Sequence, residues 1–206
     1  WVEDVRRAAE NRRRLSTQIT ALLRAGTRGG LRVVLPMITG PEEWDDVMQE
    51  VARCKQRLDR RGVDYARDLE FGCLIEIPAA ALVADQIMAH GAKFLAIDID
   101  DLVHYTVAAG RSDASKGRYE RADAPAVRRL VDMVCRMAAD RGVPVYMCGI
   151  MARDLPEMES YLRDGIRAFC LEWISLNELK AEFMETDLTA DAAPAETKSS
   201  AKSVDK

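Results

Sequence analysis

Three apolar stretches of the chain each run out into a side chain that can do chemistry. Phe71–Ile77 carries Glu76 just ahead of Pro78, Lys93–Ile99 passes into Asp98, Asp100 and Asp101, and Val143–Met147 is followed by Cys148 and Gly149. Carboxylates from two neighbouring segments suit a magnesium ion, which prefers hard oxygens and commonly takes only one or two protein carboxylates. Glu76 and Asp101 are the expected ligands, the competing role being that Glu76 or the Asp98, Asp100 and Asp101 cluster caps the helix that follows. Cys148 stands where a thiol can protonate a carbanion or enolate if it titrates near the working pH; the competing role is that of a small buried hydrophobe. Arg111 lies ten residues beyond Asp101, past Tyr105 and Thr106, in a stretch too long for a simple turn. Its guanidinium suits a phosphate or carboxylate, and on spacing alone it serves equally well as a surface arginine.

Such side chains must be held by elements, and the chain alternates short β-branched runs with longer amphipathic stretches. That alternation is the pattern of βα units, in which helices cover a parallel sheet. Five strands are predicted, Leu31–Ile38, Phe71–Ile77, Lys93–Ile99, Val143–Met147 and Arg167–Leu171, each apolar enough to be buried on both faces. Gly91, Gly142 and Gly165 each follow a helical pattern and precede a strand, where glycine accepts the left-handed conformation that ends a helix. Thr39 with Glu42, Asp154 with Glu157 and Ser175 with Glu178 have capping-box spacing, and Pro41 suits a first helical turn. A further helix is predicted over Val2–Arg24, with Val5, Ala8, Ala9, Leu15, Ile19, Leu22 and Leu23 at helical spacing. From Thr186 the apolar pattern stops, so 1–185 form the folded part and 186–206, rich in Ala, Ser, Thr, Lys and Asp, a disordered tail. In a parallel β/α barrel the working residues sit where strands end, as they do here.

Composition bounds the rest. The 206 residues are 48% hydrophobic and 31% charged, enough for a core and for solubility. A net charge of −4 with interspersed signs excludes a continuous basic surface for nucleic acid. The run Arg12-Arg13-Arg14 lacks accompanying aromatics and fits the solvated face of an amphipathic helix. Five cysteines without a C-x-x-C pair argue against a disulfide framework or a zinc site and fit a reducing cytoplasm. No apolar stretch approaches the roughly 20 residues of a membrane span.

Taken in order, Leu31-Arg32-Val33-Val34-Leu35-Pro36-Met37-Ile38, Gly72-Cys73-Leu74-Ile75-Glu76-Ile77-Pro78-Ala79-Ala80, Asp101-Leu102-Val103-His104-Tyr105-Thr106 and Met147-Cys148-Gly149 resemble the successive signatures of phosphoenolpyruvate-utilising enzymes. The short intervals between them look more like enzyme I of the bacterial sugar phosphotransferase system than like pyruvate phosphate dikinase or phosphoenolpyruvate synthase. The resemblance implies an α/β fold, a (β/α)8 barrel of which residues 1–185 supply the C-terminal five βα units. It implies Mg2+ on Glu76 and Asp101, Cys148 as the acid that protonates the enolate of pyruvate, and Arg111, Asp100 and Arg32 as substrate contacts. It also implies partners: phosphoenolpyruvate and pyruvate, an upstream phosphohistidine swivel domain, a small phosphocarrier protein, and a second copy in a homodimer.

Neither histidine resembles the phosphate acceptor. His104 takes a place where the family usually has glutamine and is a candidate rim residue, while His90, near a helix end, is expected to be structural. Asp98-Ile99-Asp100-Asp101 stands where the family has Gly-Thr-Asn-Asp, so Asp100 puts a carboxylate in place of an amide donor. Extra negative charge there weakens phosphate binding unless a cation offsets it. Ile150 replaces the glutamate that usually follows Cys-Gly, and Glu3 aligns with an expected phosphate-contacting arginine. These departures leave two further readings open: a degenerate barrel kept as a sensor or docking module, and a lyase or aldolase working through an enolate.

Overall fold

The computed structural model describes residues 12–108, 121–153, 155–172 and 176–185. Arg111, Glu3, Asp154, Ser175 and the tail 186–206 lie outside them.

The chain begins its described course with α1 (Arg12–Ala25), whose Leu15, Ile19 and Leu23 recur at helical spacing and are buried, while Arg13 and Arg14 face solvent as expected of the basic run. Five βα steps follow: β1 (Arg32–Leu35), α2 (Pro41–Arg60), β2 (Glu70–Ile75), the short α3 (Pro78–Leu82) and α4 (Ala84–Ala89), β3 (Leu95–Asp98), α5 (Ile99–Val107), α6 (Pro125–Arg141), β4 (Val145–Cys148), a 3₁₀ turn at Met151–Arg153, α7 (Leu155–Arg163), β5 (Ala168–Cys170) and α8 (Leu176–Glu185). Pro41 occupies the first turn of α2, and Trp44, Val47, Val51, Cys54 and Leu58 make its buried stripe. Gly142 ends α6 at φ +64°, its N–H bonded to the Ala138 and Ala139 carbonyls, as its position before a strand predicts. The Thr39–Glu42 capping box does not form: Gly40 is the N-cap of α2 with no side-chain cap, and the Thr39 N–H and hydroxyl both donate to Glu43 Oε2, at 2.7 and 2.6 Å. Asp45 on α2 and His90 at the end of α4 pair at 2.8 Å, and Trp44 Nε1 donates to the His90 carbonyl at 3.0 Å, which gives His90 a structural place.

All five strands are parallel and lie in the order β1-β2-β3-β4-β5. Neighbours in the sheet are neighbours in the chain, so every crossover runs the same way and the helices gather on one side, as in a curling β/α barrel wall rather than a sheet wound outward from its middle. The strands are shorter than the apolar runs that announced them. Ile99 opens α5 instead of closing β3, and Ile77 leaves the strand to precede Pro78. The residue before a proline is kept extended, and Asp98 caps the next helix, so both runs stop where helical chemistry starts.

One expectation is corrected. β1 and β3 alternate in burial, and Arg32, Val34, Ala96 and Asp98 on the face away from the helices keep solvent contact. The helix-facing rows Val33, Leu35, Phe71, Cys73, Ile75, Leu95, Ile97 and Met147 form the core. Gly72 belongs to the other row, and a Cβ there would lie 2.5 Å from the Phe94 ring and 2.6 Å from its carbonyl oxygen, so the approach of β2 and β3 requires glycine.

Candidate active site at the strand ends

Strand register brings the chemistry together. Cα pairing sets Asp98 beside Cys148, and Cys148 beside Cys170. Ile75 pairs with Ile97, which puts Glu76, one residue on, at the level of Asp98. Because side chains alternate along a strand, these four share the face turned away from the helices, in one row at the carboxyl ends.

Glu76 is fully buried, and its Oε1 accepts the Met37 N–H at 2.5 Å. Met37 sits just past β1 with φ +58°, an uncommon conformation for a side chain of that size, and this turn aims its N–H across at β2. The second oxygen, Oε2, is buried and receives no donor. The Glu76 carboxyl lies within hydrogen-bonding reach of the Asp101 carboxyl, a bond that forms only when one of the two holds a proton. Burial pushes the Glu76 pKa up to about 7, against the pull of the Met37 N–H, and the charges of Asp101 and Asp98 add to the rise.

Asp98 holds the start of α5. Its Oδ1 accepts the Asp101 N–H at 3.2 Å, and desolvation, together with the charges of Asp101 and Asp100, pushes its pKa up to about 6. Asp101, in the first turn of α5, is 8% exposed. Capping and close approach to Glu76 therefore fall to different members of the Asp cluster. The sequence named Asp98 within the cluster but gave it no separate role; the signal for one was the two-residue alternation that separates 96 and 98 from the helix-facing 95 and 97.

Asp100, expected to contact substrate, is occupied otherwise. Its two oxygens accept the Ile150 N–H at 2.6 Å and the Met151 N–H at 2.8 Å, fastening the turn after β4 to the start of α5. Gly149, at φ +110°, would place a Cβ 3.0 Å from the Asp100 carboxyl carbon, so glycine is needed for that grip. Arg32 is not brought to this rim. It starts β1, three residues before the strand's end, and there it pairs with Glu70 at 2.9 Å, donates to the Tyr146 hydroxyl and lies 5.8 Å from the centre of the Phe94 ring. The predicted strand Leu31–Ile38 already put Arg32 at its start, the end away from the rim. His104, half-buried, lies in the second turn of α5.

Cys148 donates a weak S–H bond to the Ile97 carbonyl at 3.3 Å and is partly exposed. Burial pushes its pKa up to about 12, and the charges of Asp98, Cys170, Asp100 and Glu76 push the same way, so at neutral pH it carries its proton. That pKa lies well above the working pH on which the acid role was conditioned, so in this pocket the group is a neutral thiol beside ionisable carboxyls rather than a thiolate nucleophile. Among the described residues no group of three His, Cys, Asp or Glu side chains stands ready-made around a metal position. The carboxyl pair with one oxygen lacking a donor nonetheless fits an octahedral ion that keeps water and substrate oxygens for its remaining positions.

Comparison with known proteins bears on the same rim. The family model described as the PEP-binding domain of PEP-utilising enzymes matches residues 2–188. The chain belongs to that family. This PEP-binding domain is 36% identical over 168 residues to the phosphoenolpyruvate-protein phosphotransferase of Cupriavidus necator, covering 82% of the chain and 28% of the relative. It is 33% identical to the proteins of that name from Priestia megaterium, over 86% of the chain and 31% of the relative, and from Bacillus subtilis, over 84% and 30%. The domain thus spans less than a third of the length of these relatives. Among solved structures, a citrate lyase from Burkholderia xenovorans superposes with a TM-score of 0.61 at 16% identity, covering 84% of this chain and 54% of that one. An HpcH/HpaI aldolase/citrate lyase family protein from Burkholderia cenocepacia gives 0.52 at 17%, over 81% and 69%. At such identities the likeness is one of fold, and it supports the β/α barrel architecture.

Proposed function

We infer that this domain binds phosphoenolpyruvate within a phosphoenolpyruvate-protein phosphotransferase of the enzyme I type. The observation that carries the reading is Glu76: a fully buried carboxyl with one oxygen lacking a donor, turned toward Asp101 and level with the Cys148 row. A buried carboxylate pair is costly unless a cation compensates it, and Glu76 with Asp101 would hold magnesium. Magnesium bound there would supply positive charge to the phosphoryl group as it leaves and to the enolate left behind. Met37 fixes Glu76 through its N–H, Asp98 fixes the first turn of α5 and with it Asp101, and Asp100 holds the β4 turn that follows Cys148. Cys148 keeps its proton until an enolate carbon meets it, then gives it up to form the methyl group of pyruvate. The phosphoryl group passes to a histidine carried on another domain and from there to a phosphocarrier protein, and Arg111 grips the phosphate. A homodimer belongs to the same proposal.

In the complete polypeptide, pyruvate release from phosphoenolpyruvate requires Mg2+, and Cys148→Ala lowers turnover by at least about 100-fold, the scale of general acid catalysis. Undiminished turnover in that variant removes the acid role. A second reading rests on the carboxylates of Asp98 and Asp100, which crowd the rim with negative charge. It makes the domain a phosphoenolpyruvate sensor, and calorimetric binding with Mg2+ but without turnover in the complete polypeptide decides for it.

A further inference from the structure

Cys148 has a neighbour that the chemistry above does not use. Cys170 is the last residue of β5, its Cα is the direct register partner of Cys148, and both thiols are free. Register partners on adjacent strands point to the same face and lie about 4.8 Å apart between Cα atoms, inside the roughly 4.4–6.8 Å span that a disulfide bridges. The two thiols are close enough for the charge of one to be felt by the other. Their environments differ: Cys170 is exposed, whereas Cys148 is partly buried with its S–H on the Ile97 carbonyl. Three further cysteines, Cys54, Cys73 and Cys135, are buried in the core.

We propose that Cys148 and Cys170 form a reversible disulfide across β4 and β5, an oxidative modification site that switches off the rim. The oxidant is a small disulfide such as oxidised glutathione. Cys170, exposed, reacts first: its sulfur bonds to one glutathione sulfur, the glutathione disulfide bond breaks, and a reduced glutathione leaves with the Cys170 proton. Cys148 then rotates from the Ile97 carbonyl toward β5 and its sulfur displaces the second glutathione, which leaves reduced and takes the Cys148 proton. Two thiols have lost two electrons and two protons, and two reduced glutathiones carry them. The high pKa of Cys148 leaves it little thiolate with which to attack a disulfide in solution, and a mixed disulfide held on the adjacent strand offsets this by a high local concentration. The bond itself stands apart from the function proposed above; only the consequence for turnover rests on it, since a sulfur in a disulfide has no proton to give.

The test oxidises the complete native polypeptide with glutathione disulfide, blocks remaining thiols and digests with trypsin. Peptides Gly142–Arg153 and Ala168–Lys180 each contain one cysteine of the pair. Mass spectrometry is expected to find them joined, with dithiothreitol separating them. Recovery of both peptides as blocked thiols, or only as separate glutathione adducts, overturns the proposal. Turnover gives a second, distinguishable arm. Oxidised wild type is expected to fall to about a tenth or less of its activity and recover on reduction, while Cys170→Ser and Cys170→Ala keep basal activity and resist oxidation. A linked pair in an enzyme that shows no phosphoenolpyruvate turnover at all keeps the disulfide and sinks the functional reading instead.

Discussion

Glu76 and Asp98 both hold protons more tightly in the folded protein than an exposed carboxyl does, at about 7 and about 6. The folded state therefore binds more protons than the unfolded state between roughly pH 4 and pH 7, and its stability falls as pH rises through that window. In chelator, the melting temperature is expected to drop by several degrees from pH 5 to pH 8, and Mg2+ to restore most of the loss at pH 8. Glu76→Gln should flatten the pH profile and abolish the Mg2+ effect; a profile unchanged by that substitution would show that the buried carboxyl is not the group responsible. Glu50 works in the opposite sense. Burial raises its pKa, but donors from Ser16, Arg53 and Arg57 more than offset this and leave it lowered, so its contribution is present above about pH 4.5 and lost below it. That the rim carboxyls interact was legible in the types and spacing of Glu76 and Asp101. The separate duty of Asp98 was not, because a cluster of three aspartates does not reveal which one caps the helix until the strand's last residue is known.

At the scale of elements, two contacts fix how neighbours approach. Helices α1 and α2 meet around Glu50: Ser16 donates to its Oε1 at 2.5 Å, and Arg57 bridges Ser16, Glu50 and Cys54 at 3.0, 3.2 and 2.8 Å. Arg57→Ala leaves a largely buried carboxylate short of a charged donor, and a loss of about 1–3 kcal/mol in urea unfolding is expected, smaller at acid pH once Glu50 is protonated. Strands β2 and β3 meet at Gly72, where Gly72→Ala drives a methyl into the Phe94 ring and backbone; the expected cost is also about 1–3 kcal/mol, read from the same denaturation. The existence of these elements could be read from hydrophobic period, since Val33 and Leu35, or Trp44 and Val47, fall where strand and helix require them. Their ends could not, because Ile77 and Ile99 are as apolar as the strands before them and only the following Pro78 and the Asp98 cap end the run.

For the molecule as a whole, parallel order is the property that the sequence made plain, through repeated βα alternation, and the degree of burial is the property it did not. Arg32 and Glu70 sit on the same face as Asp98 and Cys148, and an apolar average over each strand conceals them. Central strands carry hydrogen bonds on both sides, so amides of Cys73, Ile75, Leu95 and Ile97 are expected to exchange with deuterium more slowly than those of β5, which has a partner on one side among the described residues. Equal rates across the sheet would contradict the strand order. That order also bears on how the chain acquires its shape. Each strand docks on the one made just before it, so the wall can grow by accretion as residues leave the ribosome, with no late segment having to slip between two that are already joined.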